Sequence, residues 1–101
     1  MSLSTHVLDA VAGRPATALG LRLTGDGIDI AGRTDADGRC RLVETDLAPG
    51  TYRLTFATGD WFTVPSFYPE VVITFTVTDP SGHLHVPLLL SPYGYSTYRG
   101  S

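Results

Sequence analysis

Cysteine is almost missing from this chain, with Cys40 the only one among 101 residues. A lone thiol forms no internal disulfide, which excludes a disulfide-stapled secreted scaffold, and Cys40 reads as a small packing residue. Basic runs are missing too, and the formal net charge is -3. Nothing therefore provides the electrostatic footprint that DNA or RNA binding requires. No apolar stretch approaches the ~20 residues of a membrane span. The opening Met1-Ser2-Leu3-Ser4-Thr5-His6 lacks the basic and apolar regions of a secretion signal. The expectation is a cytoplasmic protein whose partners include neither nucleic acid nor membrane. Helical periodicity is nearly absent, and no repeat, linker or low-complexity segment interrupts the chain. What remains is 43% hydrophobic and 17% charged, ordinary for a globular protein, so residues 1–101 are read as one domain with a modest core.

Short alternating runs punctuated by Gly, Pro and Asp recur throughout, the pattern of an all-β sandwich or barrel. Leu19, Leu21 and Leu23 alternate with polar or small residues, Asp26-Gly27 supplies a turn, and Ile28 and Ile30 resume the alternation as a hairpin. Asp35-Ala36-Asp37-Gly38 is a second turn leading to Cys40, Leu42 and Val43. After Pro49-Gly50, Tyr52, Leu54 and Phe56 share one face of a strand, with Arg53 and Thr55 on the other. Thr58-Gly59-Asp60-Trp61-Phe62 breaks the alternation, and Thr58 or Asp60 could cap one short helical turn. Val71, Ile73, Phe75 and Val77 form the cleanest strand, which is expected to be central. Asp79-Pro80-Ser81-Gly82 closes it. Leu84, Val86, Leu88 and Leu90 then face one way and His83, His85, Pro87 and Leu89 the other, before a last strand with Tyr93, Tyr95 and Thr97. About eight strands are too many for one flat sheet at this length, so two packed sheets are expected. Pro87 cannot donate a ladder hydrogen bond, so pairing must weaken there or the strand must lie near an edge.

Chemistry is concentrated at the two ends. His83 and His85 share a face about 7 Å apart, given the strand period of two, and His6 belongs to the first strand. Taken alone, His6 reads as a hydrogen-bonded structural group and Arg39 as a solvated turn residue. A His-x-His pair plus a distant third histidine is also the pattern of a zinc centre. The final segment, His83-Leu84-His85-Val86-Pro87-Leu88-Leu89-Leu90-Ser91 through Tyr98-Arg99-Gly100-Ser101, sets imidazoles, tyrosines and an arginine beside an apolar strand. Final residues are more often frayed, so this tail is read as lining a site.

The H-x-H-V-P-L-L-L-S run and the closing Y-R-G-S resemble the C-terminus of the transthyretin-related 5-hydroxyisourate hydrolases. Thr5-His6-Val7-Leu8-Asp9 followed by Gly13-Arg14-Pro15-Ala16 is similar to the N-terminal signature of that family, and Thr34-Asp35-Ala36-Asp37-Gly38-Arg39 to its T-x-x-D-G-R turn. The three segments stand in family order, and the likeness is looser between residues 40 and 70. The resemblance implies a transthyretin-like sandwich of two four-stranded sheets with one short helix. It implies hydrolysis of 5-hydroxyisourate in urate breakdown, with His6, Arg39 and His85 catalytic, Tyr98 and Ser101 closing the pocket on substrate, and neither metal nor cofactor. It further implies a homotetramer, a dimer of dimers with sites in the channel between them. Leu84 stands where these hydrolases often have tyrosine, and it points away from the histidines. His83 has no certain role and reads as a supporting or partly solvated residue.

The implied chemistry suits the residues. Water must lose a proton, which an imidazole accepts near neutral pH, and a permanently charged arginine can hold an anionic, carbonyl-rich ring. Which of His6 and His85 is the base stays open at this level. The alternative is a transthyretin-like ligand-binding carrier without catalysis, in which the histidines, Arg39 and the tail would have no clear purpose.

Overall fold

A computed structural model describes residues 2–79 and 82–100. Ten elements follow one another: β1 (Ser2–Asp9), β2 (Arg14–Pro15), β3 (Gly20–Gly25), β4 (Ile28–Arg33), β5 (Arg39–Val43), β6 (Gly50–Phe56), α1 (Thr58–Trp61), β7 (Val71–Val77), β8 (His83–Ser91) and β9 (Gly94–Thr97). They form the expected all-β sandwich with one short helix. One sheet runs β4-β3-β6-β7, and the other runs β2-β1-β8-β9 with β5 also paired to β1. The second sheet counts five strands because its outer edge is shared. β5 covers Leu3 to His6 of β1, and the two-residue β2 covers Leu8 and Asp9.

The inner faces supply the core. Leu23, Leu54 and Phe56 from one sheet meet Leu3, Val7 and Leu88 from the other, all fully excluded from solvent. Such packing of two alternating faces is the main stabilising contribution. Leu84, Val86, Leu88 and Leu90 are all buried, as their spacing predicts. Leu84 accordingly lies inside, away from the histidine face. Cys40 is half-buried, and desolvation pushes its thiol pKa up, in keeping with a packing residue.

Three local readings change. The strand Val71–Val77, expected to be central, is the edge of its sheet; alternation reports which residues face the core but carries no information on how many neighbours a strand has. Thr58 is the first helical residue and caps nothing: Ala57 occupies the cap position without a side-chain hydrogen bond, and the Thr58 hydroxyl donates to the Tyr68 carbonyl at 3.0 Å. Pro87 lies in a central strand, paired with His6 of β1. Of its two expected consequences the weakened pairing is the one realised. The β8–β9 ladder stops at Leu88 and Thr97, skips Pro87, and returns as a bridge between His85 and Gly100. The Thr97 hydroxyl donates to the Pro87 carbonyl at 2.7 Å in that gap.

Candidate active site

The outer face of the five-stranded sheet is built from three strands. In β1 the buried residues Leu3, Thr5 and Val7 leave Ser2, Ser4, His6 and Leu8 outside. In β8 the same period leaves His83 and His85 outside. The two strands run parallel, with Ser2 opposite His83, Ser4 opposite His85 and His6 opposite Pro87. On the other flank β5 pairs His6 with Arg39 and Ser4 with Arg41. Register alone therefore gathers His6, Arg39 and His85 on one face, with Ser4 at its centre.

The turn before β5 fixes this arrangement. The Asp35 carboxylate accepts the main-chain N–H groups of Asp37 and Arg39 at 2.8 and 3.0 Å, and these bonds hold its pKa below the ordinary value. Gly38 has a φ of 76°, and a β-carbon there would come within 2.4 Å of the Val7 carbonyl. Only glycine lets the turn press backbone to backbone on β1, where Val7 N–H donates to the Gly38 carbonyl at 2.7 Å. That contact brings the Asp37 carbonyl to His6, whose Nε2–H donates to it at 2.9 Å. A carbonyl only accepts, so Nε2 carries a proton and Nδ1 is the His6 nitrogen left for another partner.

His85 is half-buried, and its pKa lies below the ordinary value of 6.5. Burial is the largest cause, followed by the positive charges that His83, His6 and Arg39 bring near it, while the Ser4 main chain opposes the shift. The ring is thus kept neutral and able to accept a proton below pH 6.5. The tail reaches it through Gly100, whose N–H donates to the His85 carbonyl at 2.8 Å. A β-carbon at Gly100 would stand 2.6 Å from the imidazole Cδ2, so glycine is what allows the tail to lie against the ring.

A depression of about 400 Å³ on this face is lined by Ser4, Asp35, Arg39, Arg41, His83 and His85, and a second, lined by His6 and Asp37, meets it at Arg39. A separate, mainly apolar cavity lies between the sheets, bordered by Phe75, Val77, Leu84, Val86, Tyr98 and Arg99. It contains none of the histidines, and Asp79 is the carboxylate on its border. Tyr98, expected to close the pocket, lines that inter-sheet cavity and is exposed; Gly100 is the tail residue placed against His85. Ser101 lies outside the described residues. Among the described residues, no group of three or more His, Cys, Asp or Glu side chains is placed to hold a metal ion.

A profile of the HIUase/Transthyretin family matches residues 3–100. The chain belongs to that family. Among its members, a 5-hydroxyisourate hydrolase of Caulobacter vibrioides is 52% identical, covering 98% of this chain and 97% of that protein. A 5-hydroxyisourate hydrolase of Mus musculus is 43% identical, covering 98% of this chain and 94% of the relative. Among solved structures, 5-hydroxyisourate hydrolase of Klebsiella pneumoniae superposes with a TM-score of 0.91 at 38% identity over the whole of both chains. Sea bream transthyretin in complex with thyroxine does so with a TM-score of 0.84 at 32% identity, covering 97% of this chain and 93% of that one. The family thus includes both hydrolases and a hormone-bound sandwich, and the residues on the outer face have to discriminate between them.

The reading of residues in sequence did not single out Ser2, Ser4 or Gly100. For the serines a signal was available: Ser2 and Ser4 precede His6 by four and two positions, so the strand period puts their hydroxyls on the histidine face. Gly100 falls within the closing Y-R-G-S run, but its contact with His85 depends on where β9 leads the tail. No helix among the described residues is long and apolar enough to cross a membrane.

Proposed function

We propose that this protein hydrolyses 5-hydroxyisourate to 2-oxo-4-hydroxy-4-carboxy-5-ureidoimidazoline, with His6, Arg39 and His85 as its catalytic residues and Tyr98 and Ser101 as substrate-binding residues of the tail. The observation that carries this reading is the outer face itself, where the half-buried imidazole of His85, its pKa lowered by burial and nearby positive charge, and His6, anchored through Nε2, flank a charged guanidinium. A carrier of apolar ligands has no use for a recessed imidazole held neutral beside an arginine.

The reaction adds water to a carbonyl carbon of the six-membered ring and breaks the adjacent amide C–N bond. His85 accepts a proton from the attacking water as the C–O bond forms. Arg39, on the neighbouring strand, donates to the oxygen on which negative charge accumulates, where forked and permanently charged donors stabilise the transition state more than the substrate. The tetrahedral adduct collapses, the C–N bond breaks, and the proton held by His85 passes to the leaving nitrogen. His6 is anchored through Nε2 and offers Nδ1 to a ring N–H or to the attacking water, which supports an orienting role. This scheme uses no covalent nucleophile, metal or cofactor.

The same proposal includes a single domain over residues 1–101, a cytoplasmic setting and a homotetramer formed by two dimers. Support for the tetramer comes from the openness of the site on one protomer, where Arg39 is exposed and His6 half-buried, and from the exposed Tyr93, Tyr95 and Tyr98. Tyrosines combine a large contact area with a polar tip and suit such interfaces. The mass of the particle in solution by light scattering tests this point, and a monomer would overturn it.

The decisive test generates 5-hydroxyisourate from urate with urate oxidase and follows its ultraviolet decay with and without the protein, in parallel with chelator. Rapid protein-dependent decay that survives chelation is expected. Decay at the spontaneous rate would leave ligand binding as the better account, and activity lost to chelator would restore the metal centre.

A further inference from the structure

Four side chains on the outer face form an uninterrupted line of hydrogen bonds that runs from solvent to the recessed histidine. Ser2 Oγ lies 2.5 Å from His83 Nδ1, His83 Nε2 lies 2.8 Å from Ser4 Oγ, and Ser4 Oγ lies 2.9 Å from His85 Nδ1. The two rings are nearly parallel, 24° apart with centroids separated by 6.3 Å. His83 is exposed and His85 half-buried. We infer that Ser4 and His83 are positioning residues for the hydrolysis, forming a proton relay that fixes the tautomer of His85 and moves charge from that ring to the exposed one. The inference rests on the proposed hydrolase reading and adds two residues to it.

The argument turns on Ser4, which has one hydroxyl proton and stands between two ring nitrogens. It can donate to only one of them, so it must accept from the other if both contacts are hydrogen bonds. When His85 Nδ1–H donates to Ser4, Ser4 O–H donates to His83 Nε2 and His83 Nδ1–H donates to Ser2. Every contact is then satisfied, and His85 Nε2 is left with a free lone pair. This is the tautomer a general base needs, since Nδ1 is already occupied by Ser4.

The relay follows from the same bonds. As His85 Nε2 takes a proton from the attacking water, its Nδ1 proton passes to Ser4 Oγ and the Ser4 proton passes to His83 Nε2. One proton has entered, no atom is gained or lost beyond it, and the positive charge now resides on His83. Reversal of the shift returns a proton through His85 Nε2 to the leaving nitrogen. The direction is physically sensible, because an imidazolium at His85 would be partly desolvated and would face His83 from its own strand, His6 from β1 and Arg39 and Arg41 from β5, with Asp35 of the preceding turn the carboxylate in the same depression. On His83 the charge meets solvent. A neighbouring hydroxyl or imidazole that merely packed would have no need to connect both rings end to end.

The test uses the full chain with nitrogen-15 histidine, together with Ser4→Ala, Ser4→Thr, His83→Phe and the Ser4→Ala/His83→Phe double variant. In the wild type, imidazole nitrogen shifts should show neutral His85 protonated on Nδ1, and Ser4→Ala should abolish that preference. Ser4→Ala should lower kcat about tenfold, corresponding to one hydrogen bond to the reacting group, with KM little changed. Ser4→Thr keeps the hydroxyl and should restore kcat. The double variant should be no slower than the worse single one, because a relay broken twice is broken once. An Nε2-protonated His85 in the wild type, a wild-type kcat in Ser4→Ala, or multiplicative losses in the double variant would each overturn the relay. The nitrogen shifts report on the tautomer whether or not 5-hydroxyisourate is the substrate, so failure of the relay is separable from failure of the hydrolase reading.

Discussion

The two sheets present similar inner faces and different outer ones. Both contribute fully buried Leu and aromatic or branched residues to one core. Outside, the β4-β3-β6-β7 sheet shows an ordinary solvated mixture, including Arg22, Asp29, Arg53, Thr74 and Thr76, with an exposed Arg22–Asp29 ion pair at 3.2 Å. The five-stranded sheet shows Ser2, Ser4, His6, His83, His85, Arg39 and Arg41, with Ser2, His83, Ser4 and His85 joined by side-chain hydrogen bonds. The difference lies in assembly. The first sheet is antiparallel throughout and draws its strands from residues 20–77, whereas the second joins the first strand to the last two through the parallel β1–β8 pair. Strands remote in sequence can bring together side chains that no single segment carries, and that is where the candidate site lies.

Substitutions on the inner faces should erase this difference and produce the largest effects. Phe56→Ala in one sheet should cost about 3–5 kcal/mol and Leu88→Ala in the other about 2–5 kcal/mol of unfolding free energy, read by urea denaturation; a loss below about 1 kcal/mol in either would break the equivalence of the inner faces. On the outer faces the sheets should separate. His6→Ala, Arg39→Ala and His85→Ala should each lower kcat/KM for 5-hydroxyisourate by about 10²–10³ while folding normally, whereas Arg53→Ala on the other sheet should leave it within about twofold. A near-normal rate in any of the first three removes that residue from the site.

Gly100→Ala sharpens the comparison at the tail. The added methyl must displace either the tail or the His85 ring, and turnover should fall about tenfold with little change in thermal midpoint, as expected for a strand end outside the core. An unaffected rate would mean the tail does not position His85. A subtler effect concerns pH. Because the His85 pKa is lowered, the neutral ring persists further into acid, and the acid limb of the rate profile should lie below pH 6.5. Arg39→Ala removes a nearby positive charge, so the His85 titration followed by imidazole resonances should move upward; a downward move would contradict the electrostatic account. The smallest change is expected from Arg22→Ala, which breaks an ion pair whose side chains are both largely solvated and should alter stability by no more than about 0.5 kcal/mol.

Much of this organisation is legible before any coordinates. The period of two in β6, β7 and β8 separates core from surface residues, apart from Pro87, which is buried on the outer face of β8, and Asp26-Gly27 and Asp37-Gly38 mark turns in which Gly27 and Gly38 adopt positive φ. Pro87 announces an interruption in pairing, and the interruption lies where expected. Other readings fail for identifiable reasons. A regular strand such as Val71–Val77 suggests a central position, yet its alternation would be the same at an edge. Thr58 has the chemistry of a cap, but the Tyr68 carbonyl claims its hydroxyl.

By itself, the sequence determined the class of fold, the composition of each strand's two faces, the turns, and which side chains could do chemistry, because these depend on backbone preferences and burial over a few residues. Tertiary structure alone decided which strands became neighbours and in what register. It set Ser4 between His83 and His85, pressed the Asp37 carbonyl onto His6 and laid Gly100 against the His85 ring. Those contacts join segments as much as 81 positions apart, so they are fixed by the packing of whole sheets, where a shift of one residue would turn every side chain on a strand to the opposite face.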